Sequence, residues 1–306
     1  LMFENNYKII SFYKFIKINN KNLLKKKIEI FLEGKLVRGT VLLANEGING
    51  SLAGKEKDVD KIIEFIKKQL KIRKIKLKIN DISYLPFNKT KIRLKKEIVS
   101  LGKGKIDVER LKGKLVSPSE WNNLIGNKNI ITIDVRNNFE IEIGKFKNSI
   151  NPNTNSFREF PKQFRKLKLN KDTEIAMYCT GGIRCEKASA YLKSNGYNKI
   201  YQLDGGIIQY LNYIRDNRVQ SHWDGECFVF DDRVTINKNL EKGNYLQCYG
   251  CRHPITKNDT KLKSYEKGVS CKYCFSEKSE TKIKSLRTRN VQIQKKIKLI
   301  LDLKRY

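Results

Sequence analysis

Two groups of cysteines in this chain have neighbours that would change their chemistry. The first is centred on the run Cys179-Thr180-Gly181-Gly182-Ile183-Arg184, which follows a strand-like segment, Glu174-Ile175-Ala176-Met177-Tyr178, and precedes a helical pattern at Glu186–Leu192. Strand, loop and helix in that order put Cys179 at a helix N-terminus, where converging backbone N–H groups favour negative charge and lower a thiol pKa. Cys179 is therefore predicted to be a nucleophile, as thiolate or persulfide. Gly181 and Gly182 open the loop amides to an anion, and Arg184 closes the loop. A buried, inert thiol is the alternative, and the glycines and arginine argue against it. Cys185, in the first helical turn, either resolves a persulfide or sulfenic acid on Cys179 or is a packed thiol. Arg184 pairs with Glu140 or Asp134, binds an anion, or does both.

The second group is Cys248-Tyr249-Gly250-Cys251 with Cys271-Lys272-Tyr273-Cys274, two CxxC knuckles separated by 19 residues. Each short loop presents two sulfurs to one tetrahedral ion, so Cys248, Cys251, Cys271 and Cys274 are predicted to hold structural zinc. Reduced thiols without metal and a redox pair are the alternatives. Such a closed site leaves no position for catalysis and would hold a loop-rich module together. His222, Cys227 and His253 are spare ligands nearby, expected as packing or surface residues.

These sites must be positioned by a chain of 306 residues, long enough for two or three domains with separate cores. Lys+Arg 64 against Asp+Glu 32 gives a net charge of +32. That excess would attract phosphate backbones, although abundant lysine, asparagine and isoleucine also fit the drift of an AT-rich genome. All seven cysteines fall within 179–274, mostly in close pairs, which suits reduced thiols or metal better than a disulfide framework. No apolar run approaches the roughly 20 residues that cross a bilayer, and Leu1–Asn6 lacks the features of a signal peptide. A cytoplasmic protein with no membrane partner is expected. Its oligomeric state is left open.

Residues 1–100 alternate strands and helices. Tyr7–Ile18 reads as a strand, Lys21–Leu36 as a helix, Gly39–Ala44 as a strand, Val59–Leu70 as a helix, and Ile75–Ile79 and Ile92–Val99 as strands. The pattern is that of a ferredoxin-like, acylphosphatase-like α+β domain. Asn45–Gly54 is either a hairpin or a substrate-facing loop. Residues 101–116 read as a linker. Ser117-Pro118-Ser119-Glu120 then makes a capping box with proline at N1, opening a second domain at 117–218 and a helix at Pro118–Leu124. The apolar run Asn129–Val135 ends at Arg136, as a buried parallel strand does on reaching a ligand edge, and Arg136 is taken as a further anion-binding residue. Strand Ile175–Tyr178, helix Glu186–Ser194, strand Lys199–Leu203 and helix Gly206–Ile214 complete an α/β unit. Residues 219–280 form a Cys-rich, zinc-ribbon-like module, and 281–306 a basic tail, helical through Ile283, Leu286, Ile297 and Leu301 or frayed. In the Cys-rich module Tyr245, Tyr249, Tyr265, Tyr273 and Phe275 alternate with Lys261, Lys263, Lys267, Lys272 and Lys278, either as core or as a surface that stacks on unpaired bases.

Asp134-Val135-Arg136, Glu140, Asn151-Pro152, the Cys179–Arg184 loop and Asp204-Gly205-Gly206 resemble a rhodanese domain. The resemblance implies a persulfide on Cys179 and substrate binding by Arg184. Rhodaneses often have histidine after the glycine aligned with Gly144, where this chain has Lys145-Phe146. With Asn45-Glu46-Gly47-Ile48-Asn49-Gly50, Lys91–Val99 and Cys185-Glu186-Lys187 added, nearly the whole chain resembles the rhodanese-type tRNA uridine hydroxylases. That resemblance implies oxygen-dependent 5-hydroxylation of the wobble uridine, with molecular oxygen as co-substrate, Cys179 essential, and the anticodon stem-loop of tRNA as partner. No flavin fingerprint, haem motif or iron-binding facial triad is seen. A sulfurtransferase and a non-catalytic, zinc-stabilised RNA-binding protein are the rival readings.

Overall fold

A computed structural model describes residues 7–303, with side chains as far as residue 295. Leu1–Asn6 and the side chains of Ile297 and Leu301 lie outside the described residues. The chain divides into two compact units, one of residues 1–232 with 237–240 and one of 233–236 with 241–306.

The first unit begins with the expected α+β domain. Its elements are β1 (Tyr7–Phe15), α1 (Lys21–Leu32), β2 (Arg38–Ala44), β3 (Gly47–Lys55), α2 (Glu56–Leu70), β4 (Lys76–Ile82) and β5 (Thr90–Leu94). The sheet order is β4-β1-β3-β2-β5, antiparallel except for the parallel pair β2–β5. The apolar stripes of α1 (Leu24, Ile28, Leu32) and α2 (Val59, Ile62, Ile63, Ile66) pack on inward residues of the sheet such as Ile10, Phe12, Val41 and Leu52. Residues 45–54 prove to be the hairpin: Ala44 faces Gly47, so Asn45-Glu46 is its two-residue turn. Asn49-Gly50 lies inside β3, opposite Tyr13 and Phe12, and makes no turn. The helix expected to reach Leu36 ends at Leu32, and the strand expected to reach Val99 ends at Leu94. Beyond it the backbone turns away so that Ile98 N–H can bond a Glu46 carboxylate oxygen at 2.7 Å.

The stretch expected to be a linker is ordered structure. Leu101 is buried in the next core, Val108–Leu111 forms α3 capped by Asp107, and Lys114–Val116 is a strand, β6. α4 (Pro118–Gly126) starts with the expected capping box, in which Ser117 and Glu120 each bond the other's backbone N–H. Then come β7 (Ile130–Asp134), α5 (Asn138–Ile141), β8 (Gly144–Phe146), α6 (Phe160–Lys166), β9 (Glu174–Tyr178), α7 (Ile183–Ser194), β10 (Ile200–Leu203) and α8 (Gly206–Asn217). The parallel sheet runs β6-β10-β9-β7, so Lys114–Val116, expected as linker, adds an edge strand to it. β11 (Trp223–Gly225) pairs antiparallel with β8, which places the first residues assigned by sequence to the Cys-rich module in this domain instead. Apolar pairing explains the shift: Trp223 sits edge-on to Phe146, which also meets Tyr178 and Tyr210 edge-on.

In the second unit short strands Leu246–Gln247 and Pro254–Ile255 pair antiparallel, and Glu280–Leu303 forms α9. α9 is a helix and not a frayed end. Arg287 pairs with Glu266 at 2.7 Å, and Arg289 donates to the carbonyls of Tyr249 and Gly268, each at 2.9 Å. No helix among the described residues is long and apolar enough to cross a membrane.

Candidate active site

β9 delivers Cys179 to the C-terminal edge of the parallel sheet, where open α/β sheets bind ligands. Gly182, at φ +95°, turns the chain sharply into α7, and its N–H donates to Cys179 Sγ at 3.1 Å. A side chain there would be strained in that backbone conformation. The loop is braced from the other side by the first turn of α8. The N–H groups of Ile207 and Ile208 donate to the carbonyls of Cys179 and Thr180 at 3.0 and 3.2 Å. Gly206 permits this approach, since a Cβ on it would fall 2.3 Å from the Cys179 carbonyl oxygen. Asp204-Gly205-Gly206 is thus the support of the cysteine loop.

Cys179 is fully buried. Burial alone would raise its pKa, but the Cys185 S–H, the Arg184 charge and the N–H groups of Cys185 and Gly182 outweigh it and lower the thiol to about 5. Cys185 is pushed the other way, well above its ordinary value, by burial and by the adjacent Cys179. At neutral pH the pair is therefore a thiolate with a thiol donating to it. Gly181, Gly182, Arg184 and Cys185 all lie at this sulfur's loop.

Arg184 takes one of the partners expected of it, whereas Arg136 differs from the sequence expectation in what it faces. Arg184 makes a two-pronged pair with Glu140, at 2.6 and 2.7 Å, and also donates to Thr180 Oγ1 at 3.3 Å. Arg136 is fully buried, its guanidinium bound to both Asp134 oxygens and to the carbonyls of Glu140 and Gly144. Its assignment to substrate is therefore corrected: Arg136 ties the ends of β7, α5 and β8 together and has no exposed donor. Cys227 belongs to the same interior, its pKa raised to about 12 by burial, and it is not one of the four cysteines that group together.

Three further contacts come from the N-terminal domain, on residues that sequence reasoning missed. Tyr13 donates from its hydroxyl to Glu186 at 3.0 Å. Lys76 pairs with Asp204 at 2.7 Å, and Lys78 donates to the Gly181 carbonyl. A Cβ on Gly182 would fall 3.0 Å from the Tyr13 hydroxyl, and one on Gly181 would fall 3.3 Å from Lys78 Nζ. β1 and β4 thus lie directly on the cysteine loop. The only sequence signal was the alternation Lys76, Lys78 on one strand face, invisible among so many lysines.

Lys187 holds that arrangement. It is fully buried on α7, and its ammonium contacts Glu46 at 2.7 and 2.8 Å, Glu97 at 2.6 Å and the Val99 carbonyl at 2.9 Å. Glu97 in turn accepts from Leu101 N–H and Gly102 N–H at 2.9 and 3.1 Å. The hairpin turn, the segment after β5 and the start of α7 therefore meet at one cation.

In the second unit the four CxxC sulfurs lie within 4.8 Å of one another, with separations of 3.7, 3.8 and 4.0 Å among them. A tetrahedral zinc ion with Zn–S distances near 2.3 Å requires edges of about 3.8 Å. These four residues can hold a metal ion such as zinc. His222 and His253 are outside the cluster, and His253 stacks on Tyr273 at 3.7 Å. Of the five aromatics noted in this module, Tyr249, Tyr273 and Phe275 are exposed, while Tyr265 packs on the sulfur cluster.

Residues 7–98 match the UPF0176 acylphosphatase-like domain and residues 117–212 the rhodanese-like domain. Together they span more than half of the chain, and the pairing is the signature of the rhodanese-type tRNA uridine hydroxylase (UPF0176) family. The chain belongs to this family. Similar solved structures include a rhodanese-related protein from Thermoplasma volcanium, 25% identical over 33% of this chain and 92% of that one, with a TM-score of 0.28. A single-domain sulfurtransferase from Saccharomyces cerevisiae is 24% identical over 33% of this chain and 90% of that one, with a TM-score of 0.29. The polysulfide-sulfur transferase from Wolinella succinogenes is 25% identical over 35% and 80%, with a TM-score of 0.30. Family membership pairs the rhodanese domain with a second domain.

Proposed function

We propose that this protein hydroxylates C5 of the wobble uridine of tRNA, with Cys179 as the reactive group: one atom of O2 enters C5 and the other leaves as water, with two electrons and two protons drawn from an external thiol reductant. The observation that supports this most is the composite loop: Tyr13, Lys76 and Lys78 of the N-terminal domain touch the loop of Cys179 or its supports. A loop serving only a small sulfur donor needs no such wall, whereas a nucleotide extruded from a tRNA loop needs surfaces on both sides and cations for its phosphates. In this reading Cys179 works as an anion, held by the amides of Gly182 and Cys185 and by the Arg184 charge. Glu140 fixes Arg184 beside it. The four cysteines of the second unit hold zinc as a structural ion, and its exposed aromatics face solvent among basic residues that suit the anticodon stem-loop.

The cysteine loop supports a second reading. A thiolate of low pKa among backbone amides is equally suited to carry sulfane sulfur and pass it to an acceptor. Nucleoside mass spectrometry separates the two. Cells carrying wild-type protein in place of any endogenous copy are expected to contain 5-hydroxyuridine-type wobble nucleosides, and cells carrying Cys179→Ser are expected to lose them. Undiminished hydroxylated nucleosides in the variant, together with sulfane-sulfur transfer by the wild type, would transfer the assignment to sulfur chemistry.

A further inference from the structure

A rhodanese-type loop needs a cation for an anionic substrate, and both arginines that the sequence nominates are otherwise engaged. Arg136 is enclosed with Asp134, and Arg184 is 8% exposed with both guanidinium prongs on Glu140. Moving either arginine onto a ligand would leave a fully buried carboxylate without its partner, which is strongly unfavourable. Lys76 is paired with Asp204.

Lys78 stands differently. It is half-buried at the loop, its ammonium reaches Gly181, and the bond it makes there is to a neutral carbonyl. The bond to the carbonyl carries a full charge on the donor side only, whereas an anionic phosphate oxygen would carry one on both sides, so a phosphate can displace the carbonyl. β4 brings Lys76 and Lys78 to the same strand face, with Tyr13 opposite Lys76 and Ser11 opposite Lys78 on β1. Tyr13 and Lys76 then anchor this face to α7 and to the start of α8, through Glu186 and Asp204. The cation is therefore held in place by two flanking contacts to the rhodanese domain.

We infer that Lys78 is the phosphate-binding cation of the Cys179 site, and that it receives a backbone phosphate of the RNA loop whose base enters between the two domains. The inference rests on the proposed tRNA reading and deepens it. Burial lowers the Lys78 pKa to about 8, with Cys179, Asp204 and Glu186 raising it and Lys76 lowering it, so the amine is mainly charged at neutral pH and a bound phosphate would favour the charge further.

The test is the salt dependence of binding between the full-length protein and a synthetic RNA hairpin with an unpaired, uridine-containing loop, followed by fluorescence anisotropy. Loss of one phosphate contact lowers the magnitude of the slope of log K against log salt by about 0.7 to 0.9. Lys78→Met is expected to show that decrease, and Lys78→Arg to restore the wild-type slope. Lys57→Met, which removes the same charge from the exposed start of α2, is expected to leave the slope unchanged. A wild-type protein that does not bind the hairpin overturns the tRNA reading and the inference with it. A wild type that binds, with the same slope in Lys78→Met or an equal decrease in Lys57→Met, overturns the role of Lys78 alone. Failure of Lys78→Arg to restore the slope also overturns it, because the role would then not be that of a charge.

Discussion

The two cysteine sites of this protein use sulfur in opposite ways. At Cys179 one thiolate is kept anionic by groups that are not its bonding partners: two backbone amides, the S–H of Cys185 and the charge of Arg184. In the Cys248–Cys274 cluster four sulfurs surround one point, spaced as the corners of a metal tetrahedron. A thiolate stabilised by hydrogen bonds keeps its lone pairs available, and one bound to zinc in a closed site does not. Burial does not separate the two sites, since Cys179 and three of the four cluster cysteines are buried while Cys251 is exposed. What separates them is that the stabilising charge is fixed in the protein at Cys179, whereas the four-cysteine cluster has the geometry to take it from an ion.

The largest test of this contrast is metal removal. A structural zinc contributes on the order of 10 kcal/mol or more to folding of a small domain. Chelation, or Cys271→Ser, is expected to unfold the second unit while the Cys179 thiolate persists, as read by metal analysis, circular dichroism and ultraviolet thiolate absorbance. Loss of the Cys179 signal on chelation would show that the two sites are one cooperative system.

A smaller effect is expected at Lys187, which lies between Glu46 and Glu97 with no exposure of its own side chain. Lys187→Met leaves two partly buried carboxylates without a cation, a loss on the order of 3 kcal/mol in stability of the first unit. It should not alter the metal content of the second. Thermal unfolding and bound zinc, measured on one sample, check both statements. A variant of wild-type stability would remove Lys187 as the clamp between the N-terminal and rhodanese domains.

The smallest and most local effect concerns the thiolate itself. Wild-type minus Cys179→Ser absorbance is expected to titrate with a midpoint near pH 5. Cys185→Ala, which removes a donor, is expected to raise that midpoint, and Cys185→Ser, which keeps one, to raise it less. Because the folded pKa lies below an unfolded value of about 8.5, the thiolate stabilises the fold fully above that unfolded value, and the contribution fades as pH falls through about 5. Wild-type protein should therefore gain stability over Cys179→Ser as pH rises from about 5 toward 8.5. A constant difference across that range would contradict an anionic Cys179.

Much of this contrast was legible in the residues. Cys179 with its glycines and arginine, and the two CxxC knuckles, are local patterns whose spacing determines which atoms converge, and the amphipathic stripes of α1 and α2 determine which face is buried. Less legible were the features that depend on distant segments. Lys76 and Lys78 look like ordinary lysines of a strand until the fold lays β4 on the cysteine loop. Arg136, by contrast, was assigned to substrate because it ends a strand at a ligand edge, and only the position of Asp134 and Gly144 shows that it faces inward. The stretch 101–116 looked like a linker because Gly102-Lys103-Gly104-Lys105 is polar and glycine-rich, yet the short runs after it add α3 and an edge strand. The Asn45–Gly54 segment carried two turn dipeptides of similar appearance, and pairing register selected one of them.

The most direct test of the central claim is isotope incorporation. Purified wild-type protein, incubated under 18O2 and a thiol reductant with tRNA from cells lacking the modification, is predicted to yield wobble uridine carrying one 18O at C5, and Cys179→Ser is predicted to yield none. Label from water instead of O2, or equal labelling by the two proteins, would contradict an oxygen-dependent hydroxylation that depends on Cys179.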